Sequence, residues 1–136
     1  MNEEWVQWLP DLPLANKYDI DKIIHDLDDF RMLLTDTQDS KNQVWVIFDK
    51  SIDVFRSTDE SYCLKTIHLL NKKYGKDFYV KWTFFKVQNS LYVEWLYEQS
   101  FETFPKEGYT HFAFIEDNAI VDVVSVYEPR FEFVQR

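Results

Sequence analysis

Two helices packed on a mainly antiparallel sheet of about six strands, in the order α-β-β-α-β-β-β-β, make up the α+β class that this sequence predicts. Three observations lead there. Apolar residues recur at helical spacing over residues 20–34 and 63–74, and strand-like apolar runs follow with short turn clusters between them. No long helical stretch separates those later runs, so parallel crossovers are not expected. The 136 residues suit one domain, and the 46% hydrophobic content with 5 Trp, 8 Tyr and 12 Phe supplies a core and excludes a disordered chain.

Residues 1–18 read as an irregular arm, because Pro10 and Pro13 lack donors and push their predecessors toward extended conformations. Trp5, Trp8, Leu9, Leu12 and Leu14 either strap this arm to the core, the favoured reading, or form an exposed docking surface in which Trp5 and Trp8 are the anchors. The spacing of Ile20, Ile23, Ile24, Leu27, Phe30 and Leu34 then predicts a first helix over Asp19–Leu34. Its outer face carries Asp21, His25, Asp29 and Asp36, flanked by Asp26 and Asp28, an excess of mid-helix Asp that helix formation does not explain. Residues 35–42 form a polar loop that extends the negative charge to Asp39.

Val44–Phe48 and Ile52–Phe55 have strand composition, with Asp49-Lys50-Ser51 as their hairpin connection. Ser57 and Glu60 form a capping box for the second helix and Gly75 ends it. Cys63, Ile67, Leu70 and Tyr74 are its inner face. Strands are expected over Phe78–Val87, Leu91–Glu98, Tyr109–Ile115, Ile120–Tyr127 and Phe131–Val134. The turns Gln88-Asn89-Ser90 and Glu116-Asp117-Asn118 make hairpins of the first four. Phe101–Gly108 is a surface loop. No internal repeat or interdomain linker interrupts the chain.

Composition narrows the function. The net charge of −9 opposes binding to a nucleic-acid backbone and favours a basic partner. It is uneven: residues 1–60 hold 14 Asp or Glu against 6 Lys or Arg, residues 61–108 hold 5 against 7, and residues 109–136 hold 5 against 2. The apolar runs fall well short of the roughly 20 residues that cross a bilayer, so no membrane role is expected. The acidic start Met1-Asn2-Glu3-Glu4 is unlike an export signal, and the single Cys63 forms no intramolecular disulfide. Both suggest a cytoplasmic setting.

Catalytic motifs are missing at this level. With only Gly75 and Gly108, neither a dinucleotide-binding turn nor a phosphate-binding loop can be written, and no cofactor is expected. Cys63 reads as a buried, inert thiol, and one Cys with three His offers no zinc spacing. Asp21, His25 and Asp29 at helical spacing read as a charged face and not as a metal site. His111 has Glu107 and Glu116 as its nearest carboxylates in sequence, which makes no triad. Glu94 and Glu98 share one side of their strand and read as solvated carboxylates.

In size, acidity, lack of catalytic motifs and the aspartates of residues 18–29 and 35–39, the chain resembles the small acidic immunity proteins with which bacteria neutralise their own toxins. The resemblance implies a non-catalytic inhibitor that occludes a basic partner such as a toxin nuclease. Asp21, Asp26, Asp28, Asp29, Asp36 and Asp39 would steer that partner, and Trp5 and Trp8 would anchor it. A DNA-mimicking inhibitor is a variant of this reading. The competing reading is a small-molecule binder or enzyme with an aromatic pocket on the sheet near Trp82, Tyr92, Glu94, Trp95 and His111. A subunit of a larger assembly is the third.

Overall fold

Asp26 is not inside a helix: its carboxylate accepts the backbone N–H of Asp28 at 2.9 Å and of Asp29 at 3.1 Å, closing a tight turn. The stretch read as the first helix is therefore a hairpin of β2 (Tyr18–His25) and β3 (Phe30–Asp36), with a bulge between Ile20 and Lys22. The β-branched Ile20, Ile23 and Ile24 fit a pleated strand, and the surplus aspartates are turn residues. The computed structural model describes residues 3–50, 52 and 54–135. Met1, Asn2, Ser51, Asp53 and Arg136 lie outside the described residues, and with the first four lie parts of the expectations on the N-terminus and on the Asp49-Lys50-Ser51 hairpin.

The predicted class is corrected accordingly. In place of two helices on one six-stranded sheet, there are two antiparallel sheets of five and four strands, with helices against only one of them. The four-stranded sheet has the order β2-β3-β4-β9, where β4 is Asp39–Phe48 and β9 is Arg130–Phe133. The five-stranded sheet has the order β1-β6-β7-β8-β5. Its members are β1 (Glu4–Gln7), β5 (Val54–Asp59), β6 (Phe84–Gln88), β7 (Thr110–Ile115) and β8 (Ala119–Ser125). β4 and β5 belong to different sheets and do not pair as the expected hairpin, whose connection lies partly outside the described residues. The turn at residues 116–118 does join β7 to β8.

The supposed irregular arm contributes β1, which pairs with β6 from Glu4 to Gln7. Ser57 lies in β5 and not at a helix cap; Asp59 instead caps a single 3₁₀ turn, Glu60–Tyr62. The helix α1 then runs Leu64–Tyr74 and ends at Gly75, whose φ of 92° suits only glycine. Two expected strand segments are helical. The start of residues 78–87 is α2 (Asp77–Lys81), and residues 91–98 lie in α3 (Leu91–Gln99), whose Ser90 side chain accepts the Val93 N–H at 3.1 Å. The hairpin expected at Gln88-Asn89-Ser90 is thus a strand-to-helix turn, with Asn89 at φ 52°.

Alternation along the five-stranded sheet builds two cores. Phe84, Phe112, Phe114, Val121 and Val123 face the other sheet and meet Tyr18, Phe30, Met32, Leu34, Val44, Val46 and Phe48. Their sequence neighbours Phe85, Ala113, Ile115 and Ile120 face the opposite way, with Trp5 and Val87, against Leu70 and Tyr74 of α1 and Phe78 and Tyr79 of α2. The central sheet is therefore covered on both faces, which explains its nearly continuous apolar runs.

Candidate functional site

At different ends of the central sheet, two of the places that combine polar groups with open volume gather the residues singled out from sequence. The first is an end of the sandwich where β2 begins, β3 ends and β7 turns into β8. Tyr18 pairs with Asp36, and Asp19 with Thr35, whose hydroxyl donates to Asp21. Glu116 accepts the Ile20 N–H at 2.6 Å, which ties the β7–β8 turn to this edge. Asp19, Asp21, Asp36, Glu116 and Asp117 thereby converge, and among the described residues no Lys or Arg forms an ion pair with any of them. Burial, reinforced by Asp117 and Asp21, pushes the Asp19 carboxyl above its ordinary range. Burial and the charges of Asp19 and Asp117 do the same to Glu116, against the N–H of Ile20 and the pull of Lys17.

Lys17 sits beneath this cluster. Its ammonium donates to the carbonyls of Tyr79 (2.7 Å), Trp82 (3.1 Å) and Ile115 (3.0 Å), so it ties the exit of α2 to β7. Burial pulls its pKa down to about 8, against the raising effect of Asp117, Asp19 and Glu116. A surface concavity of about 670 Å³ opens beside it, lined by Lys17, Asp36, Asp117, Lys81 and Trp82. A second, of about 270 Å³, is lined by Asp21, Lys22 and Glu116.

The predicted acidic residues divide between two ends of the β2–β3 hairpin. Asp21, Asp36 and Asp39 belong to the converging end, where Asp36 accepts the Gln38 N–H and Asp39 the Lys41 N–H. Asp26, Asp28 and Asp29 occupy the opposite turn. There Asp29 pairs with Arg31 at 3.2 Å, and the N–H groups of Asp29 and Asp28 hold the Asp26 carboxyl below its ordinary range. The continuous acidic helix face does not exist. His25 points toward the Ile52 carbonyl and packs on Phe30 and Phe55. Trp5 is 7% exposed and packs on Phe85 and His111, and Trp8 packs among Phe84, Phe112, Phe114 and Phe131.

The second place is built around His111 of β7, on the helix-covered face. Arg56 of β5 lies directly across from Asp122 of β8, and Asp122 pairs with Ala113, two residues from His111. The Arg56 Nε–H donates to one Asp122 oxygen at 2.9 Å, and His111 Nε2 lies 2.6 Å from the other. His111 Nδ1 is 2.7 Å from the Ser90 hydroxyl. Because Ser90 Oγ already accepts the Val93 N–H, every group is satisfied when the Ser90 O–H donates to Nδ1 and the ring donates from Nε2. Burial alone would raise the Asp122 carboxyl, but its bond to His111 and the Arg56 guanidinium hold it below its ordinary range. The Arg56 guanidinium lies 3.9 Å over the Tyr92 ring, which makes a T-shaped contact with His111 at 5.7 Å between ring centres.

Beside Ser90 and His111 opens a concavity of about 500 Å³, whose walls also carry Lys86, Glu94, Lys106, Tyr109 and Thr110. Of the pocket residues expected from sequence, Glu94 and His111 meet here. Tyr92 lies against His111, with Trp95 stacked on it and 52% exposed, while Trp82 lies at the Lys17 end. Glu94 is bonded to Lys106 at 3.0 Å.

Ser90, Arg56 and Asp122 escaped the sequence reading. Their signals in the sequence are a serine before the helix-forming residues 91–99 and a lone carboxylate inside the apolar run Ala119–Val126. Cys63 precedes α1, its Sγ near the Thr58 carbonyl, and burial pushes its thiol up. Among the described residues no group of three or more His, Cys, Asp and Glu could hold a metal ion, and no helix is long and apolar enough to cross a membrane. Compared with protein-family models, with curated proteins and with solved structures, the chain matches none.

Proposed function

We propose that this chain acts by binding a basic protein at its carboxylate-rich end, in the manner of the immunity-type proteins that it resembles in organisation. The observation that supports this reading is the convergence of Asp19, Asp21, Asp36, Glu116 and Asp117 without a Lys or Arg ion pair among the described residues. Carboxylates held in mutual repulsion gain most from an incoming cation, and the same field accelerates encounter with a basic surface. Two concavities flank these carboxylates, one lined by Asp36, Asp117 and Trp82 and the other by Asp21 and Glu116. Asp39 extends this surface along the β3–β4 turn.

The test is a pair of charge-neutralised proteins used to capture partners from the native lysate, followed by association kinetics with the captured protein. Asp19→Asn, Asp21→Asn, Asp36→Asn and Asp117→Asn together should slow association about tenfold and flatten its salt dependence. Asp26→Asn with Asp28→Asn, at the far turn, should leave association within about twofold. Equal effects from the two sets would end the proposal. A second reading, a small-molecule site, is favoured by the meeting of Glu94 and His111 at one concavity.

A further inference from the structure

The chain of groups running from Arg56 through Asp122 and His111 to Ser90 has a chemistry that partner binding does not use. A buried histidine needs partners only to be satisfied, and a peptide carbonyl would do. Here one ring nitrogen meets a carboxylate at 2.6 Å and the other a hydroxyl at 2.7 Å, with the imidazole and carboxylate side chains 1% and 4% exposed. This is the sequence of roles that activates a hydroxyl nucleophile. A carboxylate fixes one N–H of the ring, and the opposite nitrogen then takes the hydroxyl proton. Either ring nitrogen serves as the base provided the other is held, and here Nε2 is held and Nδ1 faces the serine. Arg56 on the second Asp122 oxygen keeps that carboxylate ionised and aimed.

Position agrees with that chemistry. Ser90 follows a strand and a residue in the left-handed region, Asn89, and opens a helix of nine residues. Although Ser90 is only 7% exposed, it and His111 both line the concavity of about 500 Å³, a volume within the range of small-ligand sites. Lys86 and Lys106 also line its walls, paired with Glu128 and Glu94.

We propose that Ser90 is an acyl-accepting nucleophile for small esters. Its Oγ bonds to the ester carbonyl carbon as its proton passes to His111 Nδ1. The bond to the alcohol oxygen then breaks, and that oxygen leaves with the proton from His111. Water next attacks the acyl-serine, giving one proton to His111 and then to Ser90 Oγ, and the carboxylic acid is released. Asp122 stays ionised throughout and acts as a positioning residue.

The test uses the full chain with a fluorophosphonate probe and with p-nitrophenyl acetate. The expected result is one adduct per chain, mapped by mass spectrometry to Ser90, and a burst of p-nitrophenolate that falls more than 100-fold in Ser90→Ala. A folded wild-type chain that forms no Ser90 adduct overturns the proposal, whatever the variants do. Because Ser90→Ala also removes a helix cap, Ser90→Cys provides an independent reading. Its thiol, set against His111, should react with iodoacetamide at least tenfold faster than Cys63 in the same molecule. Equal or slower reaction also overturns the proposal.

Discussion

Replacing Asp122 by alanine isolates the energetic role of the buried chain from its chemistry. The substitution leaves the His111 Nε2–H without an acceptor in a side chain that is 1% exposed, which costs about 1–3 kcal/mol. It also removes the Arg56 ion pair, but the Arg56 side chain is half exposed and water takes over, so that loss is held to about 0.5–1 kcal/mol. With the small void left by the carboxylate, the whole comes to about 2–5 kcal/mol, overlapping the range for breaking one side of a buried pair. An entropy of unfolding of about 2.1 cal/mol/K per residue makes each kcal/mol worth about 3.5 °C for a chain of this length, so Tm should fall by about 7–18 °C. Asp122→Asn should cost about half as much, because the amide oxygen still accepts from His111 and the amide N–H₂ displaces only the solvent-exposed Arg56. Thermal and urea denaturation monitored by circular dichroism check both values. A loss under about 1 kcal/mol for Asp122→Ala, or an asparagine variant less stable than the alanine one, would refute this account of the chain.

Three further outcomes follow from the same geometry. Asp19 and Glu116 bind protons more tightly folded than unfolded, so stability should rise as pH falls from neutral through their raised values, the gain being complete below the ordinary values of 3.8 and 4.5. Asp122 has the opposite sign: its contribution, present above 3.8, is lost as pH drops further. Tm against pH should therefore pass through a maximum on the acid side of neutrality, and a steady decline from pH 7 to 4 would contradict the repulsion described at the acidic end. Lys17→Met strips the donor from three carbonyls and should cost about 2–3 kcal/mol at pH 7. That cost should shrink at pH 5 as the carboxylates above it protonate, and a pH-independent loss would detach Lys17 from the cluster. Trp5→Ala should cost about 3–5 kcal/mol and Trp95→Ala less than about 1, so equal shifts in denaturation midpoint would contradict the placement of Trp5 in the core.

What the sequence revealed depended on whether a segment's local signals agreed with each other. The hairpin of β7 and β8 was readable because strand-length apolar runs flank the turn residues Glu116-Asp117-Asn118, and both point to one answer. The end of α1 was readable because Gly75 is one of only two glycines. Over residues 19–34 the signals conflicted. Ile20, Ile23, Ile24 and Phe30 happen to satisfy helical spacing, while their β-branching and the aspartates at residues 26, 28 and 29 favour strand and turn. Leu91–Gln99 is apolar on nearly every side, which period alone cannot assign, and the cap at Ser90 decided for helix. The acidic end was half legible: its charge excess was visible, but Glu116 and Asp117 join it only through the tertiary fold. His111 was identified without its partners, because Ser90, Asp122 and Arg56 come from three other elements.

The pairing of β1 with β6, β4 with β9 and β5 with β8 has a consequence for how the chain acquires its fold. Each partnership joins an early strand to a late one, and Val44–Ile47 must wait for Arg130–Phe133 before its sheet gains its final edge strand. Closing such long loops costs entropy before any pairing returns it, so refolding should be slow beside that of a helical domain of equal size. During synthesis the first hairpin, β2 with β3, emerges with Phe30, Met32 and Leu34 facing nothing, and the sheet that covers them is complete only when β8 has left the ribosome. The aspartates at both ends of that hairpin then give the nascent chain a charge that discourages association with its neighbours while it waits.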